Sequence, residues 1–430
     1  MMITRFKVSG YKNLVRPVEL RRMESVVVIH GPNNVGKSNL IEAMGLPFML
    51  LGLGGASRSL PLERELTLDP QELTDRGYAP ADIFNLDRPR PIEIEFELAA
   101  APEVFSAEEM PELGDVRSVS IALSIHPGPP EITWRLSHFT FTDDHDAAQT
   151  VSPDLLLHAK HIGLLIAQNY LVGGGGGERR FQIVGTPSRK DPRQHVPSEL
   201  GLALFDAQEA TQRQVYQRWE LFADRLSRFS DVLGSSTVRT VYDRKSGTAE
   251  LVVQYASHRT PVRLLGMGIQ QLIVLLGSLV TSGAQVVAVE EPEANLSFGL
   301  QLRLREALRD LVADPRGPSQ LIFTSHSPGF QVGSDFYALI PAAGGPRLTR
   351  LAASDAPTVT GLTQVHEPDA GDSAPISWVT SDGLLRLPPS VLADLGIVGG
   401  GGVGFLPADN GVRLVSNAQA LTELGWEGEE

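Results

Sequence analysis

The chain has 430 residues, no cysteine and a formal net charge of −14 at neutral pH. Without cysteine it can form neither a disulfide nor a thiolate zinc site, and it has no cysteine nucleophile. The acidic balance excludes binding to nucleic acid through overall charge, so any DNA contact needs a local basic patch. No apolar run is long enough to span a membrane, and the first residues lack the layout of a secretion signal, so we expect a cytoplasmic protein. The length of the chain predicts two or three domains.

Strand patterns begin at the N-terminus. Residues 3–8 and 18–20 predict two short strands. Residues 91–99 alternate between apolar and glutamate side chains, and residues 118–125 and 131–136 predict further strands. Together they predict an antiparallel β-lobe at about 91–142. The polar run D-D-H-D at 143–146 is typical of a solvated acidic turn or, alternatively, of a metal site.

Residues 31–38, which read G-P-N-N-V-G-K-S, form the strongest motif in the chain. They follow the apolar run 26–29 and precede the helix-like run 39–44, a strand–loop–helix context that is typical of a loop cradling phosphates. Backbone N–H groups and the helix N-terminus would face the phosphates, Lys37 would reach the outer ones, and the Ser38 hydroxyl would bind Mg²⁺. The motif therefore predicts a nucleotide site formed by Asn33, Asn34, Val35, Gly36, Lys37, Ser38 and Asn39.

The middle of the chain contains its locally basic part. Five consecutive glycines at 173–177 are typical of a flexible joint, and several arginines follow closely. Residues 202–233 have the periodicity of one long helix that carries further arginines. We expect a helical, basic insertion at about 173–233. Its arginines are as consistent with an ordinary solvated face as with a DNA-binding surface.

Two later runs, 286–289 and 321–323, are apolar at every position, and helix-like patterns at 269–281 and 300–312 alternate with them. Strands that are apolar on both faces and alternate with helices indicate a parallel sheet covered on both sides. We therefore expect an α/β fold, in which a mixed sheet flanked by helices carries the phosphate loop.

Three stretches of this second half carry side chains suited to phosphate chemistry. The run 286–289 delivers Glu290, which can hold Mg²⁺, and Glu291, which can polarise an attacking water. The run 321–323 leads to His326, which is placed to contact a γ-phosphate. Residues 265–271 form a glycine-containing loop that opens a helix, a second terminus suited to anions. The order of these stretches favours one site built from four segments of the chain.

These motifs resemble those of ATP-binding-cassette-type ATPases of the SMC/RecF/OLD branch (AAA_15/AAA_21-like), which are linked to DNA repair and phage defence. The resemblance rests on residues 6–14, 31–39, 290–296 and 325–328, and covers roughly residues 1–351 with a divergent middle. It implies a P-loop ATPase head that uses ATP and Mg²⁺, with Glu291, His326 and Lys37 as catalytic residues. Because two subunits sandwich two ATP molecules in this branch, it also implies a homodimer or a higher even oligomer.

The resemblance assigns roles to further residues. Gly268 and Gln270 fall on the signature loop, which in the family meets the γ-phosphate bound by the partner subunit, and Gln168 corresponds to a glutamine that contacts Mg²⁺. No carboxylate cluster of the Toprim nuclease kind follows His326, so we expect no built-in nuclease. Departures from the family pattern leave the hydrolysis rate open: Gly266 and Met267 where serine is usual, Glu290 where aspartate is usual, and Asn295 where histidine is frequent.

The C-terminal part predicts a separate module. Residues 352–375 are polar and proline-bearing, as is typical of a linker. Residues 376–416 combine short strands, tight turns and a proline-started helix, and they resemble an AbrB/MazE-like swapped-hairpin domain. A fold of that size implies an intertwined dimer, because it is too small to bury a core alone. Its basic residues are only Arg386 and Arg413, which favours dimerisation over DNA binding, and an acidic tail occupies 417–430.

Two classes of function fit these motifs best, and a third fits them less well. The first is a dimeric ATPase whose nucleotide state opens and closes two heads in anti-phage defence or DNA repair and maintenance. Its partners would be an effector protein encoded nearby and DNA, with no membrane. The alternative is an AbrB-type DNA-binding transcriptional or antitoxin-like regulator whose assembly is set by ATP. A third, weaker option is the ATPase subunit of a membrane transporter, which the β-lobe, the arginine-rich helix and the fused tail disfavour.

Overall fold

The computed structural model describes most of the first 351 residues and short stretches of the rest. In the first part these are residues 2–53, 65–75, 77–80, 82–85, 89–99, 118–128, 131–142, 148–150, 181–184, 198–234, 236–327, 330 and 336–351. In the second part they are residues 395, 403–408, 411–416 and 419. Contacts between residues divide the chain into two compact units, Met1–Leu351 and Ala352–Glu430.

The described residues form eighteen strands and seven α-helices. The strands are β1 (Met2–Ser9), β2 (Val18–Arg21), β3 (Val26–His30), β4 (Leu66–Leu68), β5 (Ile92–Ala99), β6 (Ser118–His126), β7 (Ile132–Thr142), β8 (Ala148–Thr150), β9 (Phe181–Val184), β10 (Thr237–Asp243), β11 (Thr248–Gln254), β12 (Arg259–Pro261), β13 (Val286–Glu290), β14 (Gln320–Ser325), β15 (Phe336–Ile340), β16 (Arg347–Leu351), β17 (Val403–Ala408) and β18 (Gly411–Ser416). The helices are α1 (Lys37–Leu53), α2 (Pro70–Asp75), α3 (Ser198–Gln208), α4 (Arg213–Ser227), α5 (Ser230–Leu233), α6 (Met267–Thr281) and α7 (Phe298–Ala313).

The early strands form an antiparallel sheet in the order β2–β1–β5–β6–β7–β4, with β8 beside β7. Every second residue of β5, from Ile92 to Leu98, is buried in the core, and its glutamates face the other side. On that side Arg5 of β1 forms ion pairs with three carboxylates, those of Glu19, Glu95 and Glu97. The alternation in the sequence therefore does produce the predicted β-lobe, which β1 and β2 extend.

The phosphate loop lies on a second sheet, in the order β16–β15–β3–β14–β13–β9. Its strands run parallel, apart from β16, which is antiparallel to β15. The central strands are buried along almost their whole length, which explains why their sequences do not alternate. Ser325 pairs with His30, and Thr324 pairs with Glu290, so the carboxyl ends of β14, β3 and β13 meet at one edge. The predicted parallel sheet is confirmed, and this edge positions the candidate site.

The region predicted as a helical insertion at 173–233 differs from the expectation in two ways. Phe181–Val184 is β9, the edge strand that pairs with β13 in the phosphate-loop sheet. The single helix predicted at 202–233 is three helices, because the chain leaves helical geometry at Gln212 and again at the fully buried Phe229. These breaks let α3 lie against β11 and α6 while α4 packs against α6.

Acidic groups engage several arginines of this helical region. Arg225 is buried and donates to the carboxylates of Asp224 and Asp314. Arg228 pairs with Asp310, and on α7 Arg303 pairs with Asp231. A basic helix that binds DNA needs guanidinium groups that are not already committed to carboxylates. The pairing therefore favours an ordinary ion-paired face at these positions.

The second unit contains a hairpin in which β17 pairs with β18. Leu406 and Val415 are buried in it, and Arg413 is exposed. The hairpin agrees with the strand–turn–strand pattern of the sequence, whereas the swapped AbrB/MazE-like dimer stays a prediction. The predicted linker 352–375 lies outside the described residues. None of the described helices is long and apolar enough to cross a membrane.

Candidate active site

The phosphate loop connects β3 to α1 and is tightly curled. Asn34 and Gly36 have positive φ angles of 63° and 110°, in the region that glycine adopts most readily. The loop surrounds the ammonium of Lys37, whose side chain is only 6% exposed. Nζ of Lys37 donates to the carbonyl oxygens of Gly31 (2.8 Å) and Pro32 (3.0 Å). Burial lowers the pKa of Lys37, and nearby carboxylates act in the opposite direction.

A cavity of about 520 Å³ opens at this loop. Its lining consists of Asn33, Asn34, Gly36, Lys37, Ser38, Asn39 and Glu291. The cavity has the size of a small-molecule site, and an ammonium, a hydroxyl and the N-terminus of α1 give it the donors that a polyphosphate needs. Val35 is the predicted loop residue that does not line the cavity, because its side chain is buried in the core.

Asn13, in the turn between β1 and β2, braces the phosphate loop from outside. Its Nδ2 donates to the carbonyl oxygen of Val35 (3.1 Å), and its Oδ1 accepts from Nδ2 of Asn39 (2.8 Å). Glycine suits position 36 because its φ of 110° is rarely adopted by other residues, and a Cβ atom there would also lie 2.5 Å from Oδ1 of Asn13. Sequence analysis gave Asn13 no role of its own, because nothing in its local pattern indicates a contact with the loop.

Glu291 lies at the centre of the polar groups at the sheet edge. It follows the last residue of β13, Glu290, and adopts a left-handed backbone conformation with φ of 42°. Oε1 of Glu291 lies 3.9 Å from Nζ of Lys37 and 3.6 Å from Nδ1 of His326. Its backbone N–H donates to the carbonyl oxygen of Thr324 (3.0 Å), which ties the end of β13 to that of β14. The structure thus brings together the three residues predicted to be catalytic.

The residues present fit Mg²⁺ as an ion that accompanies a nucleotide. Ser38 lines the cavity next to Lys37, and Glu290 ends the strand that delivers Glu291. Mg²⁺ usually takes one or two protein ligands and completes its shell with phosphate oxygens and water. Among the described residues, no group of three or more histidine, cysteine or carboxylate side chains could hold a metal alone. Gln168 and the acidic run 143–146 lie outside the described residues.

Two buried titratable residues, Glu293 and His30, lie next to the residues of the site. Glu293 accepts hydrogen bonds from Oγ of Ser325 (2.6 Å) and from the backbone N–H of His326 (2.9 Å). Burial raises the pKa of Glu293. His30 ends β3, and burial lowers its pKa to about 3. Neither residue was given a role of its own by sequence analysis, since the burial of both side chains and the hydrogen bonds of Glu293 arise only in the folded sheet.

The predicted signature residues lie outside the cavity lining. Gln270 is buried, and its Nε2 donates to the carbonyl oxygens of Arg263 (3.1 Å) and Leu265 (2.6 Å), so its amide braces the segment before α6. A Cβ at Gly268 would lie 2.7 Å from the carbonyl oxygen of Asn295, so this glycine packs against the loop that follows Glu291. Beside them, Leu264 and Met267 are 64% and 47% exposed.

Comparisons with known proteins agree with this architecture. The solved structure of an SMC head bound to the C-winged helix domain of ScpA covers 83% of this chain and 100% of its own, with a TM-score of 0.52 and 13% identity. The chain has the fold of an SMC-type P-loop head. Two further SMC heads, from Thermotoga maritima and Pyrococcus furiosus, cover 82% of this chain and 99% and 97% of theirs, with TM-scores of 0.42 and 0.48 and identities of 12% and 13%.

A family model matches part of this SMC-type head. Residues 194–332 match the model described as "AAA domain, putative AbiEii toxin, Type IV TA system". The matched range contains the predicted signature residues Gly268 and Gln270 as well as Glu290, Glu291 and His326, whereas the phosphate loop precedes it. No curated protein sequence matches the chain. The matched segment is thus similar to an AAA domain, and the fold is that of the solved SMC head.

Proposed function

We propose that the protein binds and hydrolyses ATP in the presence of Mg²⁺. The observation that carries this proposal is that Oε1 of Glu291 lies 3.9 Å from Nζ of Lys37 and 3.6 Å from Nδ1 of His326, at the rim of a cavity built by a phosphate loop. Catalysis of phosphoryl transfer consists mainly of positioning and electrostatic stabilisation. Glu291 and the buried cation of Lys37, which line the cavity, and His326, which lies beside Glu291, can supply both.

In the proposed mechanism each residue has one role. Lys37 exchanges the carbonyl oxygens of Gly31 and Pro32 for phosphate oxygens and neutralises the charge that develops on them. Glu291 orients the attacking water and accepts its proton. His326 contacts the γ-phosphate and senses its presence. Mg²⁺, when bound through Ser38 and Glu290, supplies additional positive charge to the phosphates.

We further propose that two heads close around two nucleotides, as a homodimer or a higher even oligomer. The exposed apolar side chains of Leu264 and Met267, next to the N-terminus of α6, support an interface at that place. In such a dimer, Gly268 of one subunit faces the γ-phosphate held by the other. Gln270 then acts through the segment that it braces, by its bonds to Arg263 and Leu265.

The biological role that we propose is nucleotide-gated action in anti-phage defence or in DNA repair and maintenance, in the cytoplasm and with an effector protein encoded nearby. Two comparisons support a partner protein and a defence setting. The solved SMC head is bound to a domain of ScpA, and the description of the matching family model names a toxin–antitoxin system. DNA is a further proposed partner, through a surface other than the ion-paired Arg225 and Arg228.

Binding and turnover of ATP by the purified full chain test the enzymatic proposal. We expect the wild type to retain ATP with Mg²⁺ and to release phosphate, and Lys37→Ala to lose binding. Turnover measured with and without DNA tests DNA as a partner. Phage challenge of cells that express the chain with its neighbouring gene tests the role, since Lys37→Ala should then remove protection. A wild type that does not retain ATP would overturn the proposal.

The hairpin formed by β17 and β18 supports a second candidate function. This is an AbrB-type DNA-binding regulator or antitoxin-like protein, in which ATP sets only the assembly. Deletion of residues 374–430 separates the two functions. Loss of operator binding with intact ATP turnover would favour the regulator, whereas loss of dimerisation alone would favour the ATPase with a dimerising tail.

A further inference from the structure

One buried carboxylate beside the candidate site has no part in the mechanism above. Glu293 lies two residues beyond Glu291, and its side chain is only 2% exposed. We propose that Glu293 is a positioning residue that holds His326 against Glu291, and that it thereby controls the rate of hydrolysis and not the affinity for nucleotide. This inference rests on the proposed ATPase function.

The two hydrogen bonds of the Glu293 carboxylate both reach the segment that carries His326. Its Oε1 accepts from Oγ of Ser325 at 2.6 Å and from the backbone N–H of His326 at 2.9 Å. Oγ of Ser325 in turn accepts from the backbone N–H of Ser327 at 3.0 Å. One carboxylate oxygen therefore organises three consecutive residues at the point where the chain leaves β14.

The same carboxylate faces the imidazole ring. Nδ1 of His326 lies 3.4 Å from Oε1 of Glu293 and 3.6 Å from Oε1 of Glu291. Nδ1 is thus the ring nitrogen that faces both carboxylates, and Nε2 is left for a phosphate. The ring is about half exposed, so the backbone contact is what fixes its starting point. Loss of that contact frees the histidine to swing away from Glu291.

Glu293 is also connected to the backbone of the glutamate that serves as the base. The N–H of Ala294 donates to the carbonyl oxygen of Glu291 (3.0 Å), and the N–H of Leu296 donates to that of Glu293 (3.1 Å). These bonds make residues 291–296 a compact turn. A shift of Glu293 would therefore move both Glu291 and His326 and change the distance between them. Misplacement of catalytic groups by about 1 Å can lower the rate by about 100-fold.

The buried position of this carboxylate lowers the stability of the fold, which favours a functional role for it. Its second oxygen, Oε2, is buried and has no hydrogen-bond partner among the described residues. A buried, half-satisfied carboxylate destabilises a fold. Glu293 does not line the cavity, whose donors come from the phosphate loop and α1. For this reason we expect its loss to affect kcat and to spare nucleotide binding.

Two substitutions of similar size distinguish the role of Glu293 as a hydrogen-bond acceptor from the role of its negative charge. Glu293→Gln keeps an oxygen that can accept from Ser325 and His326, whereas Glu293→Met fills the same space without an acceptor. We expect Glu293→Met to lower kcat for ATP by about ten-fold or more with KM within about two-fold of the wild type. Glu293→Gln should lose no more than about three-fold in kcat, since it keeps both hydrogen bonds.

A double-mutant cycle with His326→Ala distinguishes positioning from general structural support. If Glu293 acts through His326, Glu293→Met should lower kcat little further in the His326→Ala background. If Glu293→Met does not fold, Ser325→Ala takes its place in the cycle, with a smaller fall in kcat expected and the same lack of additivity. Multiplicative losses, or an unchanged kcat in Glu293→Met, would overturn the inference. Absence of hydrolysis in the wild type would instead overturn the proposed function.

Discussion

Nζ of Lys37 lies 3.9 Å from Oε1 of Glu291, so the buried cation of the phosphate loop already faces the carboxylate proposed to be the base. Lys37 follows β3 at the end of the phosphate loop, and Glu291 directly follows β13. The strand β14 lies between β3 and β13 in the sheet. Lys37 is held chiefly by the carbonyl oxygens of Gly31 and Pro32. A nucleotide that replaces these acceptors therefore meets the base without a large movement of the lysine.

Replacement of Glu291 by glutamine should stop hydrolysis and leave binding intact. The amide cannot take a proton from water, and loss of a general base lowers rates by about 10²–10⁴-fold. The hydrogen bonds of Lys37 go to Gly31 and Pro32 and do not involve Glu291, so ATP should be retained. We expect Glu291→Gln to accumulate as an ATP-bound dimer in size-exclusion chromatography with light scattering. Glu250→Gln, on β11 and outside the cavity lining, is the matched control. Normal turnover by Glu291→Gln would show that another group is the base.

Replacement of Asn13 should weaken nucleotide binding, because its side chain holds the phosphate loop at Val35 and Asn39. Asn13→Leu removes both hydrogen bonds at similar volume, and we expect the Kd for ATP to rise about ten-fold, which corresponds to about 1.4 kcal/mol. Calorimetric titration measures this change. Asn85→Leu is the control, since Asn85 contacts the same turn at the carbonyl oxygen of Lys12. Equal effects of the two substitutions would contradict a specific role of Asn13.

Sequence patterns were sufficient for the parts of the site that are encoded locally. The loop at 31–38 and the apolar run before Glu290 and Glu291 each combine a motif with the strand that presents it. Asn13 and Glu293 could not be found in this way, because their partners Val35 and Ser325 lie 22 and 32 residues away. Their polar side chains look, in the sequence, like those of any turn.

The fold shows the same division. Fully apolar strands flanked by helices predicted the parallel sheet, because a strand buried on both faces has an apolar side chain at nearly every position. The strand Phe181–Val184 has only four residues, one of them polar, which is too short a run for periodicity to indicate a strand. Its partner β13 lies about a hundred positions later in the chain. The break at Phe229 was hidden because a buried aromatic residue also fits a continuous helix.

Two glycines of the loop before α6 should respond differently to alanine. A Cβ at Gly268 would lie 2.7 Å from the carbonyl oxygen of Asn295, whereas one at Gly266 would meet nothing within 4 Å. We expect Gly268→Ala to lower the free energy of unfolding by about 1–3 kcal/mol through overpacking. Gly266→Ala should cost less than about 1 kcal/mol, the loss of a favourable N-cap residue. Urea unfolding of the two variants compares them, and equal stabilities would contradict the close approach of Asn295 to α6.

Arg225 should contribute more to stability than its neighbour Arg228. The buried guanidinium of Arg225 donates to Oδ2 of Asp314 (3.0 Å) and to the carbonyl oxygen of Asp310 (3.2 Å). Arg225→Met leaves these acceptors without a donor from α4, although Asp314 keeps its bonds to Arg316, so we expect a loss of about 2 kcal/mol or more. Arg228→Met removes an exposed pair and should cost about 0–1 kcal/mol. Urea unfolding would contradict this ranking if Arg228→Met were the less stable variant.

His30 should make the stability of the head sensitive to acid. Burial lowers its pKa to about 3, so the folded protein keeps this histidine neutral. In the unfolded chain a histidine titrates near 6.5, so the unfolded state alone takes up this proton as the pH falls from about 6.5 towards 3, and stability decreases over that range. Between pH 7 and pH 5 we expect His30 to lower the free energy of unfolding by about 2 kcal/mol.

Urea unfolding of the wild type and of His30→Leu at both pH values isolates this contribution, because the other titrating groups are common to the two proteins. The apolar replacement has no proton to take up, so its stability should fall by about 2 kcal/mol less than that of the wild type over the same interval. The same loss in both proteins would mean that His30 is protonated in the folded head, and that the end of β3 beside Gly31 is open to water.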